Sequence, residues 1–109
     1  MKRGELWSAA TGSGYGSKPR PVILVNAQIY TGLSIKLVAP LSSDLEHLAN
    51  LRPVLEPNPL NKLRRRSAVM VDVLIAVPTS KFGRKLGELT GSELARVDAA
   101  LLAILGLIR

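Results

Sequence analysis

The chain contains no cysteine and a single histidine, His47. The first absence excludes a disulfide framework and any thiolate metal site, and it fits a reducing cytoplasm. The second puts a histidine-rich zinc centre or a two-histidine nuclease out of reach. Aromatics are scarce at 4%, so a core must be built from Leu, Val, Ile and Ala. No run is long enough to span a membrane. The C-terminal stretch is the most apolar, but Glu93, Arg96 and Asp98 interrupt it. The start does not read as a signal peptide, because Gly4-Glu5 breaks the apolar continuation that Met1-Lys2-Arg3 would need. Acidic residues are also few. The resulting net charge of +7 favours a polyanionic partner: nucleic acid, an acidic protein tail or an anionic membrane. A merely solvated basic surface would carry the same charge.

With 109 residues and 47% apolar composition, the chain reads as one domain, residues 1–109, with a real core. Its clearest element is Arg20-Pro21-Val22-Ile23-Leu24-Val25-Asn26. A short branched apolar run between breakers predicts a strand buried on both faces. Pro21 fits only at the start of such a strand, because it cannot donate to the ladder. Arg20 therefore stands where a rigid central strand meets the glycine-rich loop Gly12 to Pro19, a place from which a fixed cation can touch an anion. The loop matches neither phosphate-binding fingerprint: its spacing is GxGxG, and it precedes a strand instead of a helix. It reads as a mobile flap.

Around this strand the pattern predicts a first strand at Glu5–Ala9 and a turn over Asn26 to Thr31. A third strand is expected from Leu33 to Pro40, ended by the proline. Leu41-Ser42-Ser43 then opens a polar loop reaching about Leu51. Arg52–Pro57 reads as a short edge piece between prolines, followed by a turn at Asn58-Pro59 and the basic run Lys62–Arg66. Ser67–Val77 reads as one long apolar strand carrying Asp72 in its middle. A buried carboxylate needs an arginine or backbone N–H partner, and Arg20 and Arg84 are the candidates. Pro78–Phe82 is a turn. Arg84–Leu89 is a last short strand in which Gly87 hints at a bulge. Thr90-Gly91-Ser92-Glu93 is a capping box that opens a helix to about Leu105. Leu94, Val97, Leu101, Ile104 and Leu105 fall on one of its faces. Short strands, long loops and one terminal helix predict a mostly β fold, a small, strongly bent sheet or barrel with a C-terminal helix.

No metal cluster and no Ser-His-Asp set is present; His47 sits beside Glu46 in a loop and reads as a surface residue. What remains is an arginine at a strand mouth, hydroxyls at a strand end and one strand carboxylate. Such a set can run phosphoryl transfer on RNA, which supplies its own nucleophile in the 2′-OH. A cation stabilises the charge developing on phosphorus, and a basic surface holds the strand.

These residues also form a set of ordered blocks: Lys2-Arg3-Gly4-Glu5-Leu6-Trp7, the Gly/Ser loop leading into Arg20-Pro21-Val22-Ile23-Leu24-Val25, Val38-Ala39-Pro40-Leu41-Ser42-Ser43, Val69-Met70-Val71-Asp72, and Leu86-Gly87-Glu88-Leu89 before the closing helix. In order and spacing they resemble the MazF/PemK-type toxins of bacterial toxin–antitoxin systems over nearly the whole chain. The resemblance implies an SH3-like barrel, a homodimer, and a ribonuclease that needs no metal or other cofactor and cuts single-stranded RNA. It carries the family's catalytic arginine onto Arg20, its hydroxyl partner onto Ser42, where threonine is usual, and the strand acid of some members onto Asp72. The implied RNA contacts are Tyr15 and Lys18 in the first loop and Lys62, Arg64, Arg65 and Arg66 in the basic run. The chain departs from the pattern in having neither glutamate nor histidine in that loop, and Met70 where some members carry arginine. An acidic antitoxin is the expected protein partner, competing with RNA for the same positive groove, and the implied setting is cytoplasmic. The readings set against this one are a CcdB-like toxin that poisons DNA gyrase by protein contact and a relic that only binds its antitoxin.

Overall fold

The computed structural model describes residues 1–11, 18–27, 32 and 34–107. Among the described residues, seven strands and one α-helix follow in order: β1 (Glu5–Ala9), β2 (Arg20–Leu24), β3 (Ile35–Ser42), β4 (Val54–Leu55), β5 (Ser67–Val69), β6 (Ile75–Pro78), β7 (Phe82–Glu88) and α1 (Gly91–Ile104), with a single 3₁₀ turn at Thr79–Lys81 between β6 and β7. The strands form one antiparallel sheet in the order β4-β5-β3-β2-β1-β7, with β6 also paired to β3. The result is the expected mostly β architecture, a strongly curled small barrel closed by a C-terminal helix.

β2 lies between β1 and β3, as its continuous apolar run requires. Its side chains divide between two cores. Ile23 joins Leu6, Val25, Ala39, Leu55, Val69, Val71, Leu89, Val97 and Leu101 under the helix. Val22 and Leu24 join Ala9, Val38 and Val77 on the opposite face, where Trp7 packs edge-on to Phe82. The helix begins at a complete capping box. Thr90 Oγ1 accepts from the Glu93 N–H, and Glu93 Oε1 accepts from the Thr90 N–H. From α1, Val97 and Leu101 are buried, while Ile104 and Leu105 of the expected apolar stripe stay exposed.

Two predicted boundaries are corrected. Pro40 does not end the third strand, which continues to Ser42. Backbone N–H and C=O of one strand residue point to the same side. The Pro40 carbonyl accepts from the Met70 N–H, so its missing donor falls on that side, where β3 changes neighbour. Residues up to Val38 pair with β6, and pairing with β5 starts at Leu41. A proline costs no ladder bond at such a junction. The second correction concerns Ser67–Val77. It is two strands, β5 and β6, separated by a turn in which the Val73 N–H donates to Met70 O. The apolar residues on both sides of Asp72 hid the turn, because Val71 is needed in the core whether or not the backbone is extended. The bulge hinted at by Gly87 is present: Leu6 faces Gly87 but Trp7 faces Lys85. Of the predicted flap, Gly12 to Pro19, all but Lys18 and Pro19 lies outside the described residues, as does most of the turn to Thr31.

Leu6 is fully buried in the larger core. Leu6→Ala is expected to lower stability by about 3 kcal/mol, read as a lower urea midpoint with an unchanged slope.

Candidate nucleic-acid interface

The curl of the sheet brings four distant segments to one side. Arg20 is the first residue of β2, in register with Ala9. Ser42 is the last residue of β3, paired to Ala68. Arg84 lies on β7, where its own N–H donates to Ser8 Oγ at 3.0 Å. The basic run enters from the turn before β5. Together Arg20, Ser42, Lys62, Arg64, Arg65 and Arg84 line a cleft of about 550 Å³, floored partly by Leu63 and Leu86. Five of those six side chains are cationic, and among the described residues no carboxylate lines the cleft. With no carboxylate in their midst, these charges sum to a local positive potential suited to a chain of phosphates.

The hydroxyls are set by local bonds. Ser42 Oγ accepts the Asp44 N–H at 3.1 Å, an ST-turn that fixes the strand end. Ser67 donates to the Arg65 carbonyl at 3.1 Å and so ties the end of the basic run to β5. Asp44 in turn accepts the N–H groups of Glu46 and His47. The His47 backbone bond, then that of Glu46, hold the Asp44 carboxyl below its ordinary range. His47 is exposed, as expected.

The structure does not bring every candidate together. Asp72 lies in the turn after β5, not within a strand, and pairs with neither Arg20 nor Arg84. Its partner is Arg52, through a two-pronged bridge of 2.8 and 2.9 Å. The Arg52 side chain is 7% exposed and that of Asp72 19%. The Arg52 hydrogen bonds, working against burial, hold the Asp72 carboxyl below the usual carboxylate range, and the same bonds raise Arg52. Arg66 turns away from the cleft to an exposed pair with Glu56, and Lys18 is exposed and not among the lining residues. Tyr15 lies outside the described residues. Sequence reading missed Arg84 and Ser67 as members of the cleft. The residues alone offer Arg84 only as an ion-pair partner, since nothing in a linear pattern says that β7 faces the end of β3. Among the described residues, no group of three His, Cys, Asp or Glu side chains could hold a metal ion.

The family of PemK-like, MazF-like toxins of type II toxin–antitoxin systems matches residues 2–105. The chain belongs to that family. It is 32% identical over 107 residues to a probable endoribonuclease MazF of Mycolicibacterium smegmatis, with 98% of each chain covered. Among solved structures, the MazF-mt6 toxin of Mycobacterium tuberculosis superposes with a TM-score of 0.79 at 23% identity, covering 96% of this chain and 99% of that one. A MazE–MazF crystal structure from Deinococcus radiodurans gives a TM-score of 0.77 at 18% identity, covering 97% and 96%. At these identities the two structures speak to the fold, and they share the MazF architecture described above.

Breaking the Arg52–Asp72 bridge strands a buried guanidinium. Asp72→Asn is expected to cost about 3 kcal/mol of stability, measured by urea unfolding. The bridge also has a pH signature. The folded Asp72 pKa lies below its unfolded value, so the stabilisation is fully present above about pH 4. It is lost as the pH falls through the folded pKa. The acid limb of stability should therefore be shallower in Asp72→Asn than in the wild type.

Proposed function

We propose that the chain is the toxin of a toxin–antitoxin pair and an endoribonuclease that cuts single-stranded RNA in the Arg20 cleft. The observation that carries this reading is the convergence of Arg20 and Ser42 with Lys62, Arg64, Arg65 and Arg84 in a cleft without a carboxylate among its described lining residues. The 2′-oxygen of one nucleotide attacks the adjacent phosphorus, and the bond to the 5′-oxygen breaks. The 2′-OH loses its proton and the departing oxygen gains one, leaving a 2′,3′-cyclic phosphate and a 5′-OH. Arg20, at the rigid start of β2, neutralises the charge that builds on the phosphoryl oxygens, where a fixed cation is worth most. Ser42 Oγ already accepts the Asp44 N–H, so its own hydrogen remains to donate to a phosphate oxygen and hold it in line. Lys62, Arg64, Arg65 and Arg84 bind neighbouring phosphates. Asp72, held by Arg52, serves the fold.

An acidic antitoxin segment is the proposed protein partner, since the same cations attract carboxylates. A second copy of the chain is the proposed occupant of an apolar groove of about 330 Å³ at the helix, lined by Leu37, Leu74, Leu101, Leu102 and Leu105. Leu37, Leu102 and Leu105 are all substantially exposed there. No helix among the described residues is long and apolar enough to cross a membrane, and the proposed setting is the cytoplasm, where the RNA is.

Purified protein in EDTA with a long single-stranded RNA should yield discrete cuts with 5′-OH ends, and Arg20→Ala should remove them. Intact RNA in both reactions would defeat the reading, and trapped gyrase cleavage complexes in its place would favour a protein-binding toxin. Binding should weaken with salt, with log K falling by about 0.7 per phosphate neutralised for each unit of log salt. Arg65→Ala should therefore reduce that slope by roughly 0.7.

A further inference from the structure

We propose that Asn61 and Glu93, neither of which lines the cleft, are positioning residues that hold its cationic rim in binding geometry. The inference rests on reading the cleft as an RNA site. Glu93 is 7% exposed and Asn61 1%, and the two meet across 32 residues of chain. Glu93 Oε1 completes the helix cap. Its Oε2 is turned away from the helix and accepts Asn61 Nδ2 at 2.9 Å and Asn58 Nδ2 at 3.1 Å. The rest of Asn61 is fully used. Nδ2 also donates to the Glu56 carbonyl, and Oδ1 accepts the N–H groups of Asn58 and Leu63. One buried carboxylate thus ties the start of α1 to the turn that delivers Lys62, Arg64 and Arg65.

The turn is also held from below. Glu88 donates its N–H to the Leu60 carbonyl, and β7 approaches so closely that a Cβ on Gly87 would lie 2.4 Å from the Asn61 carbonyl oxygen. Lys62 itself sits at φ +56°, a left-handed conformation that costs free energy and persists only when its surroundings enforce it. A solvated stretch of like charges would spread out by repulsion. Here it leaves the turn from a fixed point in a fixed direction. Ordering it beforehand removes part of the entropic cost that immobilising long side chains would otherwise impose on RNA binding. The capping box explains one oxygen of Glu93; the other has no role in the helix.

The test exchanges donor and acceptor. In Asn61→Asp two carboxylates face each other. In Glu93→Gln, with Oε1 kept on Thr90, amide hydrogens face amide hydrogens. In the double variant, the new amide at position 93 donates to the new carboxylate at position 61, and the net charge equals that of the wild type. Affinity is read by fluorescence anisotropy with a labelled mixed-sequence RNA whose 2′-positions are methylated, and turnover is read with unmodified RNA. Each single variant should bind about tenfold more weakly and show a raised KM with kcat held, and the double variant should recover the part of the loss that the 61–93 bond carries, since Asn58 Nδ2 and the Glu56 carbonyl still face like groups. Loss of folded protein would instead lower kcat and leave KM alone, and that outcome overturns the proposal. A pure charge effect would weaken Asn61→Asp but tighten Glu93→Gln; that pattern, or unchanged affinity in both, overturns it too. Should either single variant fail to fold, Gly87→Ala displaces the same turn with the Asn61–Glu93 bond retained. It should raise KM likewise, and an unchanged KM overturns the proposal. A wild-type protein that binds no RNA overturns both this proposal and the reading beneath it; a wild-type that binds, with variants that bind equally well, overturns this one alone.

Discussion

Strand β3 carries more of the architecture than any other element, because it has three neighbours along eight residues. One edge holds β2. The other holds β6 near its start and β5 near its end. A flat sheet cannot serve two strands in succession along one edge without bending between them. The change of partner falls around Pro40, between Val38 and Leu41, and the proline has no donor to lose on that side. The succession of β6 and β5 along one edge lets the sheet curl over the larger core under α1. Arg20 and Ser42 share a cleft because the antiparallel register that sets Val22 opposite Pro40 runs the start of β2 beside the end of β3.

Electrostatics then separates structure from function. The carboxylates that the fold needs are each engaged elsewhere. Asp72 holds Arg52, Glu93 caps the helix and brackets Asn61, and Glu5 accepts from Lys2, Trp7 and Lys85. Burial pushes the Glu5 carboxyl up, yet those hydrogen bonds and the Lys85 charge outweigh it and leave the carboxyl lowered. With the acids so occupied, the cleft retains charges of one sign. Such a site attracts a polyanion over a distance of about a Debye length and can be blocked by any acidic segment that reaches it. The proposed RNA cleavage and the proposed inhibition by an acidic partner therefore draw on the same physical property.

Much of this was legible in the residues. The β2 run between Arg20 and Asn26 has the form of a buried strand and nothing else, and the capping box at Thr90 placed the helix to within a residue. The ordered blocks pointed to the family. The failures have physical causes. Ser67–Val77 is apolar almost throughout, and its one turn-forming residue, Asp72, reads equally as a buried strand carboxylate. Pro40 reads as a strand terminator because the sequence does not show that its missing donor falls on the side where β3 changes partner. Asp72 has the arginine partner that its burial demands, but the choice among arginines depends on which loop folds over the turn. The basic run reads as one surface, yet its members diverge: Lys62, Arg64 and Arg65 enter the cleft and Arg66 leaves it for Glu56.

What the sequence determined by itself was local: period, breakers, caps and the sign of the charge, because each follows from residues within a few positions of one another. Tertiary structure alone decided which cations converge. Arg20, Lys62 and Arg84 come from separate segments of the chain. Only the curl imposed by the shared edge of β3, and the close approach of Gly87 to the Asn61 turn, brings them around one space.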